Sequence, residues 1–161
     1  MPLISRTLLL ALAALIAAPA VAAQGGAFMP YLGYELANER AVVGVGFRSP
    51  FPLPSPIRVI AQPAIEVQLV DEAGDVTLLQ GDLNVVAELP GLAAAPYVGA
   101  GIALLYYNDD LGNSDTEVGL NLLAGVVLNP IGFAQPFAQA RYTVFDGSDA
   151  VTVMGGIALG I

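Results

Sequence analysis

The sequence predicts an all-β protein, an eight-stranded antiparallel up-and-down transmembrane β-barrel, and three observations carry that prediction. Beyond the first two dozen residues the chain breaks into eight segments of alternating side-chain character, none with helical periodicity. The seven turns between them fall into two chemical classes that alternate strictly. Finally, the strands combine a nearly aliphatic face with one of polar, charged and small residues, in a chain that is 56% hydrophobic and only 12% charged.

The start, MPLISRTLLLALAALIAAPAVAAQGG, carries one basic residue, Arg6, then an apolar run from Leu8 to Ala18 and small residues at Ala20, Ala22 and Ala23. Residues 1–23 therefore read as a secretory signal peptide, cleaved just before Ala23 or Gln24. The apolar run is too short to span a bilayer comfortably and is closed by Pro19, which disfavours a retained anchor. Residues 24–161 then form a single domain. In that domain four arginines, Arg40, Arg48, Arg58 and Arg141, stand against fourteen acidic residues, a net charge of −10. Nucleic-acid binding needs a basic surface and is excluded. Without cysteine there are neither disulfides nor thiolate metal sites. No later segment has eighteen uninterrupted apolar residues, so no transmembrane helix is predicted.

In order, the expected strands are Phe28 to Leu36, Ala41 to Arg48, Ile57 to Val70, Val76 to Leu89, Pro96 to Tyr107 and Glu117 to Leu128. A closing hairpin built from PFAQARYTVFDGSDAVTVMGGIALGI supplies the seventh and eighth. A two-residue loop at Gly147 and Ser148 would set Arg141 against Met154 and Thr143 against Thr152.

Turns one, three, five and seven are polar and mostly acidic: Asn38 to Arg40, Asp71 to Asp75, Asn108 to Thr116, and Asp146 to Asp149. Turns two, four and six carry proline and no charge: Ser49 to Pro56, Pro90 to Pro96, and Asn129 to Pro136. An up-and-down path sends odd turns to one end and even turns to the other, so the object has two unlike ends. Both termini lie at the proline end.

Face chemistry indicates what surrounds the barrel. In the third strand Arg58, Gln62, Glu66 and Gln68 oppose Val59, Ile65, Val67 and Leu69; in the fourth, Gln80, Asp82, Asn84 and Glu88 oppose Leu79, Leu83, Val85 and Leu89. A soluble barrel would bury the aliphatic face and expose a lysine-free surface with too few charges. Turning the assignment inside out places the aliphatic band against lipid and the small and polar residues in a narrow lumen. Closure satisfies the backbone where no water can. The side chains Gln139, Arg141 and Thr143 then point inward, with Ala140, Tyr142, Val153 and Ile157 toward lipid.

Centring the third turn on Ala73 sets Arg58 beside Glu88 and Glu66 beside Gln80. Centring the fifth on Gly112 sets Tyr107 opposite Glu117 and Ala103 opposite Asn121; across the sixth turn Asn121 falls near Arg141. The expected interior network is Glu35, Arg48, Arg58, Glu66, Asp82, Asn84, Glu88, Glu117, Asn121, Gln139 and Arg141, the arginines offset by the carboxylates. An unpaired charge in so narrow a lumen would cost several kcal/mol. Eight strands enclose room only for side chains, so a plugged barrel is expected, not a channel. Pro63, in mid-strand on the lipid face, predicts a bulge.

At PYVGAGIALLYY (Pro96 to Tyr107) and PFAQARYTVFDGSD (Pro136 to Asp149) the chain resembles the OmpA-like outer-membrane β-barrel family. The resemblance extends over the whole mature chain and implies a bacterial outer-membrane location, with outer-membrane lipid as the surroundings. It also implies that the acidic turns face outward beside anionic lipopolysaccharide, where divalent cations could bridge the two. Two departures stand out. The final residue is Ile161, where such barrels usually end in an aromatic, and no counterpart of the peptidoglycan-binding domain of full-length relatives follows, so cell-wall tethering is not expected. Lacking tryptophan, the chain leaves Tyr31, Tyr34, Tyr97, Tyr106, Tyr107 and Tyr142 as interfacial aromatics.

No catalytic, cofactor or metal site is expected. Histidine, the usual base, is absent. Glu66 and Asp82 could do acid–base work but read as charge partners. The Gly99-Ala100-Gly101 step lacks the helix that a dinucleotide loop needs. The loop after Asn108 fails the EF-hand spacing, with Leu111 and Gly112 at ligand positions. The expected function is therefore that of a small non-enzymatic outer-membrane barrel with a structural, surface-exposed or interaction role. The alternative is a soluble periplasmic lipocalin-like carrier of an apolar ligand, which requires Val67, Leu83, Leu120 and Leu122 inside.

Overall fold

A computed structural model of the chain describes residues 26–54, 56–69, 77–91, 93–108, 114–128 and 133–160. The segment read as a signal peptide lies outside them, as do the third turn, most of the fifth and Ile161. The strands are β1 (Ala27–Glu35), β2 (Arg40–Pro50), β3 (Arg58–Leu69), β4 (Thr77–Glu88), β5 (Ala94–Asn108), β6 (Ser114–Leu128), β7 (Ala134–Phe145) and β8 (Ser148–Gly160). Each pairs antiparallel with its sequence neighbour, and β8 returns to β1, from Ala27 opposite Gly160 to Glu35 opposite Thr152. The sheet is a closed eight-stranded barrel, with no open edge at the β1–β8 seam.

The alternation of small, polar and aliphatic residues determines which face is which. Val67, Leu83, Leu120 and Leu122 lie outside at 37%, 53%, 63% and 59% exposure, the reverse of what an apolar-ligand carrier requires. Gln139, Arg141 and Thr143 are buried in the lumen, and Tyr142, Val153 and Ile157 face out.

The third turn joins β3 to β4 in the expected register, Arg58 opposite Glu88 and Glu66 opposite Gln80. Two other hairpins are displaced by two residues. Tyr107 pairs with Asp115, not Glu117, and Ala103 with Gly119, not Asn121, because β6 begins at Ser114 and takes up part of the predicted loop. In the closing hairpin Arg141 opposes Thr152 and Thr143 opposes Ala150; the loop is Asp146-Gly147, with Phe145 opposite Ser148 and Gly147 at φ 94°. In β5–β6 the extra ladder pairs at the turn satisfy backbone groups that a longer loop would leave to solvent; in the closing hairpin the loop keeps its two-residue length and moves by one residue. A shift of two preserves every face, since the strand period is two.

Pro63 makes no bulge. β4 stays in register through it, opposite Leu83. The β2–β3 ladder instead lapses where Phe47 and Arg48 would face Pro63 and Gln62, and resumes in the same register at Ser49 and Ala61. The missing N–H removes ladder pairs without adding a residue. The seam behaves alike at Pro30: pairing stops after Phe28–Leu159 and resumes at Tyr31–Gly156.

Candidate functional site

The lumen is filled in three tiers. The middle tier is built on Arg141 of β7. Its Nη2 donates to Glu66 Oε1 at 2.5 Å, and its Nη1 donates to Glu66 Oε2 at 3.1 Å and to Asp82 Oδ2 at 2.5 Å. Glu66 and Asp82 stand on the paired neighbours β3 and β4, and Arg141 on β7 reaches them only across the lumen. The Tyr31 hydroxyl donates to Glu66 Oε2 at 2.9 Å. Asp82 Oδ1 accepts from Gln80 Nε2 at 3.0 Å and from Asn121 Nδ2 at 2.8 Å. Asn121 also donates to Asn84 Oδ1 at 2.9 Å and accepts from Thr143 Oγ1 at 2.8 Å. Both carboxylates are paired with Arg141 and further hydrogen-bonded, which offsets the desolvation that burial costs; the Arg141 Nε alone of that guanidinium's nitrogens is left without a partner.

Beside it Gln139 acts as a second hub. Its Oε1 accepts from the Tyr97 hydroxyl at 2.9 Å and from Gln62 Nε2 at 3.1 Å, while its Nε2 approaches Met154 Sδ at 3.3 Å. The void left between the two hubs is about 10 Å³, room for one water at most.

At the proline end, Glu88 bridges two arginines. Arg48 Nη2 bonds its Oε2, and Arg58 Nη2 reaches its Oε1 at 2.9 Å. The Arg48 guanidinium also lies 4.9 Å from the centroid of the Tyr97 ring, a cation–π contact. Arg58 is not an interior residue: its side chain is 51% exposed at the rim.

At the acidic end a vestibule of about 310 Å³ is bordered by Glu35, Arg40, Asp115, Glu117 and Asp149. Glu35 is buried but serves the first turn, its Oε1 accepting from the backbone N–H of Ala37 at 2.8 Å and of Asn38 at 3.1 Å. Glu117 sits half-buried at this mouth, away from the middle tier. Among the described residues no group of three or more His, Cys, Asp or Glu side chains is placed to hold a metal ion.

The residues named from sequence thus divide among the tiers. Glu66, Asp82, Asn84, Asn121, Gln139 and Arg141 come together in the middle; Arg48, Arg58 and Glu88 meet at the proline end; Glu35 and Glu117 stand at the acidic end. Asn121 reaches Arg141 only through Asp82, and is opposed by Thr143.

The fold is similar to that of solved outer-membrane barrels. The N-terminal β-barrel domain of Pseudomonas aeruginosa OprF aligns with a TM-score of 0.69 at 14% identity, over 85% of this chain and 97% of that one. Ail, the attachment invasion locus protein of Yersinia pestis, aligns at 0.57 and 16% identity, over 85% and 95%. The outer membrane enzyme PagL aligns at 0.55 and 12% identity, over 84% and 99%. No family model matches the chain, and no curated protein matches it in sequence. At these identities the likeness is one of fold alone, and it includes an enzyme.

Two tyrosines read as interfacial belong to the lumen. Tyr31 and Tyr97 are both buried, each lying across a glycine on the next strand, Gly44 and Gly125. Tyr31 shares its strand parity with Glu35, and Tyr97 shares its parity with Gly99 and Gly101; that parity is the signal that assigns them inward.

Proposed function

We propose that the chain is a small, non-enzymatic outer-membrane barrel protein with a structural or surface-exposed interaction role, its lumen filled by side chains. One observation carries this reading: the polarity is inside out, with an ion-paired lumen and an aliphatic exterior. A water-soluble monomer rarely exposes contiguous apolar patches beyond a few hundred Å². Tyr34 and Tyr142 near the acidic end and Phe51 and Phe133 near the proline end are exposed, as interfacial anchors are.

On this reading the acidic end faces outward, and divalent cations bridge it to lipopolysaccharide. The vestibule carboxylates support that orientation. Chelation should then lower the protein's retention in outer-membrane vesicles; unchanged retention and unchanged thermal stability would remove the cation bridge.

A catalytic reading is poorly supported. The chain has no histidine, and Glu66 and Asp82 are committed to Arg141 beside a void too small for substrate. Acyl release from lipid A or phospholipid that disappears in Glu66→Gln or Asp82→Asn would revive it.

Fractionation tests the main proposal. The mature protein should sediment with outer membranes, need detergent for extraction, and run at different gel positions before and after boiling. Recovery as a detergent-free periplasmic monomer would overturn it.

A further inference from the structure

We propose that the proline end of the barrel is a binding site for a single phosphate-type oxyanion, held between Arg48 and Arg58. The first reason is charge. The three turns at this end contain no charged residue, so Arg48, Arg58 and Glu88 are its side-chain charges. Both Glu88 oxygens are occupied, one by each arginine. Two guanidiniums therefore share one carboxylate, leaving an excess positive charge in a chain that is otherwise strongly acidic.

The second reason is an unused donor. Arg48 is 6% exposed, and its Nη1 is buried with no hydrogen-bond partner. An unsatisfied charged donor is costly, and an incoming anion would repay that cost.

The third is space. Arg48, Arg58, Glu88 and Gln135 line a cavity of about 110 Å³. That is the volume of roughly three or four liquid waters, enough for one phosphate group. Arg48 is held by Glu88 and by the Tyr97 ring, whereas Arg58 reaches the same carboxylate from the rim with its side chain 51% exposed, so it can turn from Glu88 toward a ligand in the cavity. Guanidinium forks bind phosphate oxygens in bidentate fashion, which suits this pair to phosphate. The phosphate is either free or the headgroup of a phospholipid at the bilayer surface. Only the second source rests on the membrane reading; the first survives if that reading fails.

The test uses the mature chain folded in a phosphate-free detergent. Calorimetric titration with inorganic phosphate probes the free ion, and native mass spectrometry of adducts with phosphatidylglycerol probes the headgroup. Saturable binding in either arm is expected, weakened about tenfold in Arg58→Gln, as loss of one charge-assisted contact implies. Glu88→Gln, which leaves both arginines uncompensated, should bind more tightly than the parent; a purely structural role would not move affinity in that direction. Arg58→Gln changes a rim side chain, and its gel mobility before and after boiling checks the fold. Binding in neither arm, or equal binding by the parent and Arg58→Gln, would overturn the proposal.

Discussion

Tyr31 lies across Gly44, directly opposite it on the neighbouring strand, and its ring fills the space that a Cβ at position 44 would need. The same hydroxyl donates to Glu66, so the glycine sets the position of a partner of the central ion pair. Three more interior aromatics repeat the arrangement: Tyr97 over Gly125, Phe137 beside Gly156 at 2.9 Å and Phe145 beside Gly119 at 2.7 Å from the hypothetical Cβ. In a narrow barrel an aromatic fits only where its neighbour has no side chain.

Gly44→Ala should therefore destabilise the barrel by about 1–3 kcal/mol through overpacking, as read from urea unfolding in detergent or lipid. Gly81→Ala is the control. Position 81 is outward-facing with no atom within 4 Å of its hypothetical Cβ, so the change should stay within about 0.5 kcal/mol. Equal losses in the two variants would mean that strand propensity, and not the Tyr31 ring, accounts for the effect.

Arg141→Met leaves Glu66 and Asp82 buried without their cation. A loss of about 3–5 kcal/mol is expected, visible as a lower temperature for conversion to the unfolded gel band. Adding Glu66→Gln and Asp82→Asn to Arg141→Met should recover most of that loss, since no uncompensated charge then remains. A triple variant as unstable as the single one would show that packing of the long side chain matters more than charge.

Glu35 is spent on the first turn, where Glu39 adopts a positive φ of 54°. Glu35→Ala should speed hydrogen exchange at the Ala37 and Asn38 amides by about tenfold, equivalent to one net hydrogen bond of about 1–1.5 kcal/mol. Amides in the middle of β4 should be unaffected. A change spread over the whole barrel would contradict a local role.

Leu120→Arg tests the exterior. If residue 120 sits near the bilayer midplane, insertion into lipid should be penalised by about 2–4 kcal/mol, with less protein recovered in the folded gel band from vesicles. In detergent micelles, where the head group can reach water, the same variant should fold nearly normally. No difference between vesicles and micelles would count against a lipid-facing β6.

The sequence by itself determined the strand count, the two unlike ends and the inward or outward direction of most side chains. These follow from a period of two and from turn composition, both local properties. The β3–β4 register was legible because an acidic turn with a clear centre joins two strands of matching face. Tertiary structure alone decided the rest. Whether β5–β6 and β7–β8 pair with a given register or one two residues away leaves every face unchanged, so alternation is blind to it; in β5–β6 the observed register pairs more backbone, and in β7–β8 the same two-residue loop sits at Asp146-Gly147. The joining of Arg141 to Glu66 and Asp82 depends on which side chains reach across the lumen from strands that are not neighbours. Parity turns Tyr31 and Tyr97 inward, but which glycines receive their rings, Gly44 and Gly125, depends on the register of the β1–β2 and β5–β6 ladders. The lapses at Pro30 and Pro63 likewise depend on which neighbour each missing N–H would have faced, something only the closed ring defines.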